Sequence, residues 1–111
     1  MSNTYWLNGK YIQKEDAYIS PLTHTLHYGL GAFEGVRSYA SHDDSSVSIF
    51  RLKEHTERLF ESAKIINVEI NHSMDEVMEA QLGVIEKSGL KDAYIRPLIY
   101  LNDERLGLDI I

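Results

Sequence analysis

Guanidinium groups are the side chains in this sequence best suited to chemistry, because their planar set of N–H donors binds carboxylates and phosphates. Arg37 ends a segment in which Gly29, Gly31 and Gly35 are interspersed with aromatic residues. Glycine permits positive φ values and the close approach of another surface, so this segment is suited to forming one wall of a binding site. A tight turn filled with core aromatic side chains has the same composition, and the residues alone leave both interpretations open.

Two other groups of residues are candidates for binding, with weaker patterns. Arg58 lies at the border of an apolar helical stripe, where a guanidinium either extends into solvent or faces an anion, and the spacing alone favours solvent. His24 and His27 lie three residues apart with no carboxylate or cysteine nearby, so packing or hydrogen bonding is favoured over metal binding. We therefore predict no metal site.

Length and composition restrict the class of protein. The 111 residues predict a single domain, residues 1–111, with one modest hydrophobic core. A formal net charge of -6 with scattered basic residues argues against nucleic acid as a partner. The apolar runs are too short for a membrane span, no secretory signal is visible and cysteine is absent, which together favour a soluble, cytoplasmic protein.

Two hairpins, two helices and a final strand must position these side chains. Asn8 and Gly9 supply the two positive-φ residues of a type I′ turn, which predicts a hairpin between residues 5–7 and 10–12. The later elements are a second hairpin of residues 36–39 and 47–50, a helix from 52 to about 66, a helix from 73 to 88, and a strand over 93–101. This order predicts an α+β fold, an antiparallel sheet with two helices packed on one face.

Local signals predict where these elements begin and end. The first helix has a buried stripe formed by Leu52, His55, Leu59, Ala63 and Ile66. Ser73 and Glu76 have the spacing of a capping box at the start of the second helix, and Gly89 marks its end. Pro97 predicts a sheet edge or a bulge in the last strand. The tail, residues 102–111, lacks a cap or a charged ending, which we interpret as the end of a fragment.

Six short motifs follow one another along nearly the whole chain. They are Tyr5-Trp6-Leu7-Asn8-Gly9, His27-Tyr28-Gly29, Phe33-Glu34-Gly35-Val36-Arg37, Glu54-His55-x-x-Arg58-Leu59, Ser62-Ala63-Lys64 and Ala93-Tyr94-Ile95-Arg96-Pro97. In this order and spacing they resemble the N-terminal domain of fold-type IV pyridoxal-phosphate aminotransferases. The resemblance is closest to the branched-chain amino acid aminotransferases, and the family is not visible from composition or periodicity.

The resemblance implies a function for the parent protein and roles for individual residues. The parent would use pyridoxal 5′-phosphate to transfer an amino group between Leu, Ile or Val and 2-oxoglutarate. Arg58 would anchor the cofactor phosphate, and Tyr94 would lie beside the bound substrate and its α-carboxylate. The other residues lining the substrate pocket would be Phe33, Gly35, Arg37 and Arg96. Tyr28 would complete the pocket of a neighbouring subunit, which implies a homodimer.

The sequence also departs from the family pattern. No lysine in it matches the motif of the lysine that forms a Schiff base with the cofactor. In the family this lysine belongs to a larger C-terminal domain, so we expect residues 1–111 alone to be inactive. Three alternatives stay open: a D-amino acid aminotransferase of the same fold, an aminodeoxychorismate lyase of the same fold, and a non-catalytic domain that dimerises or binds small anions through Arg58.

Overall fold

The computed structural model describes residues 4–102, which contain helices and short antiparallel strands. In chain order the elements are β1 (Thr4–Leu7), β2 (Lys10–Gln13), a 3-10 turn (Lys14–Asp16), α1 (His24–Tyr28), β3 (Gly31–Phe33), β4 (Val36–Ala40), β5 (Val47–Ile49), α2 (Leu52–Ile65), α3 (Met74–Ser88), β6 (Ala93–Ile95) and β7 (Leu98–Tyr100). This mixture confirms the predicted α+β class. The predicted abrupt ending falls on residues 103–111, outside the described residues.

The strands described between residues 4 and 102 form three small antiparallel sheets instead of one continuous sheet. β1 pairs with β2, β3 pairs with β7, and β4 lies between β5 and β6. The pairs Gly31 with Tyr100 and Val36 with Ile95 belong to the same register, so two of these sheets continue one antiparallel alignment. The alignment is interrupted at Glu34-Gly35 on one side and Arg96-Pro97 on the other.

Pro97 explains the interruption and divides the predicted strand 93–101 in two. Proline lacks a backbone N–H and cannot donate to the facing carbonyl, so the ladder loses a bond at this position. The Glu34 N–H still donates to the Pro97 carbonyl at 3.0 Å. The register therefore survives the break, and the sequence-based expectation of an edge or a bulge at Pro97 corresponds to this gap.

The hydrophobic core lies between the β5-β4-β6 sheet and α3. Val36, Ile85 and Ile95 form its buried centre, with Val47 and Ile49 packed against them. α2 and α3 also contact each other, and a buried hydrogen bond of 3.1 Å from the Gln81 amide to the Thr56 hydroxyl joins them. α3 thus packs on the buried face of the β5-β4-β6 sheet, α2 packs on α3, and α2 also contacts β3.

The predicted helix and turn signals are present in the structure. Asn8 and Gly9 have φ values of 50° and 94°, as a type I′ turn requires. Ser73 and Glu76 form the reciprocal capping box, and Gly89 ends α3 at a φ of 68°. α2 ends at Ile65, one residue before the predicted end. In the described part of the chain, no helix has both the length and the apolarity that a membrane crossing requires.

Candidate functional site

The interruption between the two aligned sheets is where most of the predicted site residues meet. Arg96 lies in the gap itself, close to aromatic rings from both of the aligned sheets. Its Cζ atom is 4.2 Å from the centroid of the Phe33 ring and 5.5 Å from that of Tyr94. Its Nε and Nη2 atoms donate to the Tyr94 hydroxyl at 3.3 and 3.0 Å. Cation–π contacts and hydrogen bonds thus hold one guanidinium at the surface.

Gly35 is required for the position of Tyr94. A Cβ atom at Gly35 would lie 2.5 Å from the Tyr94 hydroxyl oxygen and 3.2 Å from two ring carbons. Any side chain there would push the phenol away, and with it the oxygen that accepts from Arg96. Gly35 therefore matters because it has no side chain, and the Tyr94 ring can lie directly against its backbone.

Arg37 lies on the same sheet face as Tyr94. In the pairing of β4 with β6, Arg37 is directly opposite Tyr94, and opposite residues project to the same side. Both side chains are exposed, while their neighbours Val36 and Ile95 face the core. Arg96 thus contacts Phe33 and Tyr94, Tyr94 lies against Gly35, and Arg37 adds a second cation beside Tyr94.

Arg58 is held by a glutamate next to this cluster. Its Nε donates to Glu34 Oε2 and its Nη2 donates to Glu34 Oε1, each at 2.8 Å, in a two-point ion pair. His55 donates from Nδ1 to Glu34 Oε1, also at 2.8 Å, because an ionised carboxylate can only accept. The Glu34 side chain is 7% exposed, whereas that of Arg58 is 65% exposed. The carboxylate is buried and the guanidinium faces solvent.

The electrostatics of this group follow from its hydrogen bonds. The hydrogen bond from Arg58 is the largest cause of a Glu34 pKa below its ordinary value, and His55 adds to the effect. Burial of the carboxylate opposes both and raises the pKa. The Glu34 carboxylate in turn raises the pKa of Arg58, mainly through the same hydrogen bond. Both groups are therefore charged throughout the physiological range.

Tyr28 contacts two histidines of its own helix, His24 and His27. It ends α1, is half exposed, and its ring centroid lies 4.8 Å from that of His24. His24 is buried, and the Nε2 atom of His27 lies 2.8 Å from the Pro21 carbonyl oxygen. Both histidines are thus engaged in packing or hydrogen bonding. Within residues 4–102, no three His, Asp or Glu side chains are grouped so that they could hold a metal ion.

Sequence reasoning gave no site role to Glu34 or His55. His55 was expected in the buried stripe of α2, whereas its imidazole instead supports a carboxylate at the edge of the site. One signal was available: His55 and Arg58 are three residues apart and therefore share a helix face. Their partner Glu34 lies 24 positions before Arg58. No periodicity within α2 identifies a partner at that distance.

Comparisons with known proteins agree with these features. Residues 31–110 match the model of the amino-transferase class IV family. The chain is 47% identical to the branched-chain-amino-acid aminotransferase of Pseudomonas aeruginosa over 103 residues, which are 93% of this chain and 33% of that protein. It is 46% identical to the enzyme of that name from Escherichia coli K12 over 104 residues, 94% of this chain and 33% of the relative. The chain thus spans about a third of the length of these curated relatives.

Solved structures share the fold. One is a branched-chain amino acid aminotransferase complexed with N-(5'-phosphopyridoxyl)-L-glutamate, with a TM-score of 0.90 and 39% identity over 97% of this chain and 36% of that one. The branched-chain amino acid aminotransferase from Escherichia coli has a TM-score of 0.90 and 43% identity, over 98% of this chain and 36% of that chain. Sequence motifs, family match and fold agree, and this chain belongs to the amino-transferase class IV family.

Proposed function

We propose that this chain supplies the cofactor-phosphate arginine and part of the substrate pocket of a pyridoxal-phosphate-dependent branched-chain amino acid aminotransferase. The parent enzyme transfers an amino group between Leu, Ile or Val and 2-oxoglutarate. The observation that carries the proposal is that two consecutive side chains, Phe33 and Glu34, each hold an exposed guanidinium, those of Arg96 and Arg58. The reaction needs both a cofactor phosphate and a substrate carboxylate to be bound, and each guanidinium offers donors to one of these anions.

The donor set of Arg58 fits a phosphate group. Its ion pair with Glu34 uses Nε and one N–H of Nη2, while Nη1 and the second N–H of Nη2 make no hydrogen bond within residues 4–102. These donors belong to an exposed side chain and suit the oxygens of a phosphate. The bound cofactor supplies the electron sink for amino-group transfer. The chain's own contribution is to hold the phosphate end so that the ring is correctly oriented.

The cluster around Arg96 suits both kinds of substrate. Branched aliphatic side chains need an apolar wall, which Phe33 and the ring of Tyr94 provide. Glutamate and 2-oxoglutarate carry a second carboxylate, which needs a reachable cation because an unpaired buried charge is costly. Arg96 and Arg37 are the cations on this face. The two substrate classes thus use different parts of one surface.

The parent enzyme needs groups that this sequence does not contain. The similar proteins are about three times as long as this chain, and we assign the catalytic lysine to the additional length. Residues 1–111 form one α+β domain of that parent. Tyr28 is exposed, and its ring contacts are with His24 and His27, so we assign it to the pocket of a second subunit in a homodimer.

The test uses the protein expressed from the complete native reading frame that contains these residues. Intact mass before and after borohydride reduction reports whether the cofactor becomes permanently attached to a lysine. Amino-group transfer is then measured with L-leucine, L-isoleucine and L-valine, with 2-oxoglutarate as acceptor, and compared with D-alanine and aminodeoxychorismate. Cofactor attachment and preference for the branched-chain donors support the proposal. No attachment, or preference for another substrate, overturns it.

A further inference from the structure

We propose that Glu34 is a positioning residue for phosphate recognition, because it fixes one edge of the Arg58 guanidinium and leaves the other edge free for the phosphate. The inference rests on the proposed function, since it takes Arg58 as the cofactor-phosphate anchor. Glu34 touches neither phosphate nor substrate in this scheme. It acts through the orientation of Arg58, and His55 acts through the orientation of Glu34.

The ion pair determines which donors remain. A guanidinium has one edge formed by Nε and Nη2 and another formed by Nη1 and Nη2. Glu34 accepts from the first edge through both of its oxygens at 2.8 Å. The plane of the guanidinium is therefore fixed by two points before any ligand arrives. A phosphate would bind the second edge, whose N–H donors already have fixed directions.

Burial makes Glu34 a rigid support. Its side chain is 7% exposed, and its backbone N–H donates to the Pro97 carbonyl at 3.0 Å across the gap between the two sheets. His55, on the same helix face as Arg58, donates to Oε1 at 2.8 Å. Arg58 and His55 thus both hold the carboxylate, the bond to Pro97 holds the backbone, and the position of Glu34 does not depend on Arg58 alone.

Two effects of Glu34 on phosphate binding oppose each other. Its negative charge repels a phosphate dianion, which weakens binding. Its hydrogen bonds remove in advance the rotamer freedom that a long, exposed arginine would otherwise lose on binding, which strengthens binding. Glu34 accepts on the guanidinium edge that the phosphate does not meet, so its repulsion acts over a greater distance than the attraction of Arg58, and the orienting effect is the larger one. Removal of the charge should therefore weaken phosphate binding, the opposite of what simple repulsion predicts.

The experiment compares pyridoxal 5′-phosphate with phosphate-free pyridoxal, using the apoprotein from the complete native reading frame. Glu34→Gln keeps the shape of the side chain and removes its charge and one accepting oxygen. We expect the dissociation constant for pyridoxal 5′-phosphate to rise about tenfold and that for pyridoxal to stay unchanged, because one charge-assisted hydrogen bond is lost. Unchanged pyridoxal affinity also reports that the protein is folded.

Glu57→Gln is the matched control, because Glu57 is an exposed glutamate next to Arg58 on the same helix. It removes the same charge and leaves the guanidinium supported. Equal or tighter pyridoxal 5′-phosphate binding by Glu34→Gln, relative to Glu57→Gln, overturns the inference. If Glu34→Gln does not fold, His55→Leu removes only the donor that supports the carboxylate. A selective loss of phosphate affinity in that variant supports the inference, and an unchanged affinity overturns it.

Arg58→Ala separates this inference from the proposed function. A selective loss of pyridoxal 5′-phosphate binding in Arg58→Ala supports the phosphate role of Arg58 whatever Glu34→Gln does. If Arg58→Ala lowers the affinities for pyridoxal 5′-phosphate and pyridoxal equally, the phosphate role itself is wrong, and the positioning role of Glu34 fails with it. The positioning role of Glu34 can therefore be wrong while the phosphate role of Arg58 is right.

Discussion

Two glutamates of this chain accept hydrogen bonds in opposite surroundings. Glu76 closes the capping box of α3, accepts from the Ser73 backbone at 3.0 Å and has a side chain that is 58% exposed. Glu34 accepts from Arg58 and His55, is 7% exposed and joins a loop to a helix. Each also has a histidine beside it. The comparison separates a carboxylate that caps the start of a helix from one that holds the side chain of Arg58.

The difference lies in the sequence distance between partners. Ser73 and Glu76 are three residues apart, so a local pattern is sufficient to form and to recognise their contact. Glu34 lies 24 positions from Arg58, and their contact requires that the gap between the sheets and α2 be packed first. A local cap stabilises one element, whereas a distant ion pair fixes the relation between two elements. This second kind of contact is suited to building a site.

Of the changes that test this comparison, Glu34→Ala is expected to have the largest effect on stability. It removes a buried carboxylate with hydrogen bonds from Arg58 and His55, and should lower the free energy of unfolding by about 2 kcal/mol. The loss stays below that of a fully buried ion pair because water can solvate the exposed Arg58 guanidinium. Urea unfolding of the chain measures the change.

Glu76→Ala is the control for this prediction. The capping box loses one of its two bonds, but Ser73 still accepts from the Glu76 backbone and alanine favours the helix. We expect Glu76→Ala to lower the free energy of unfolding by less than Glu34→Ala does. Equal losses in Glu34→Ala and Glu76→Ala would show that the ion pair contributes no more than a surface cap.

Gly35→Ala is expected to have the next largest effect, on catalysis by the proposed parent enzyme. The added Cβ displaces the Tyr94 hydroxyl, and Arg96 loses the oxygen to which it donates. We expect kcat/KM for a branched-chain amino acid to fall about tenfold, the equivalent of one charge-assisted hydrogen bond. Steady-state kinetics of the protein from the complete reading frame measures the change.

Tyr94→Phe sharpens this prediction in a double-mutant cycle. The single variant removes the hydroxyl that would contact the new Cβ, so Gly35→Ala should cost less in the Tyr94→Phe background than in the native one. Strict additivity of the two changes would mean that Gly35 acts through backbone flexibility instead of through the space it leaves for Tyr94.

Low pH is expected to abolish the difference in the free energy of unfolding between the native chain and Glu34→Gln. The hydrogen bond from Arg58 places the folded pKa of Glu34 below its ordinary value of 4.5. The carboxylate therefore stabilises the fold above about pH 4.5, and this contribution is lost as the pH falls through the lower folded pKa. Unfolding of both proteins from about pH 7 downward should give free energies that converge in this acidic range.

Glu76→Gln tests the same comparison with salt. The backbone N–H of Ser73 is the largest cause of its lowered pKa, so its contribution changes with pH in the same direction. Because Glu76 is exposed, added salt should reduce its contribution more than that of the buried Glu34. Equal sensitivity to salt would contradict the assigned difference in burial.

Local sequence rules predicted most of the fold, whereas the residues of the candidate site came from the family resemblance. The hairpin turn at Asn8-Gly9 and the cap of α3 depend on neighbouring residues, and both were predicted correctly from local rules. The predicted strand 93–101 is divided at Pro97, which has no N–H to donate to the strand opposite. This loss depends on the pairing with Glu34, which local rules do not reveal. The roles of Arg58 and Arg96 came from the family resemblance and stay predictions. Periodicity alone favoured solvent for Arg58, since its carboxylate partner lies on another element.

The smallest effect is expected at His55, where the donor and the ring can be separated. The amide nitrogen of asparagine occupies nearly the position of a histidine Nδ1, so His55→Asn keeps a donor for Glu34, whereas His55→Leu keeps apolar bulk and removes the donor. We expect His55→Leu to lower the free energy of unfolding by about 0.5–1 kcal/mol and His55→Asn by less. Urea unfolding of the two variants measures this. If leucine preserves stability better than asparagine, His55 contributes by packing and not by its hydrogen bond. Arg58 would then be the one side chain that supports the Glu34 carboxylate, just as Ser73 is the one residue that pairs with Glu76 in the local cap.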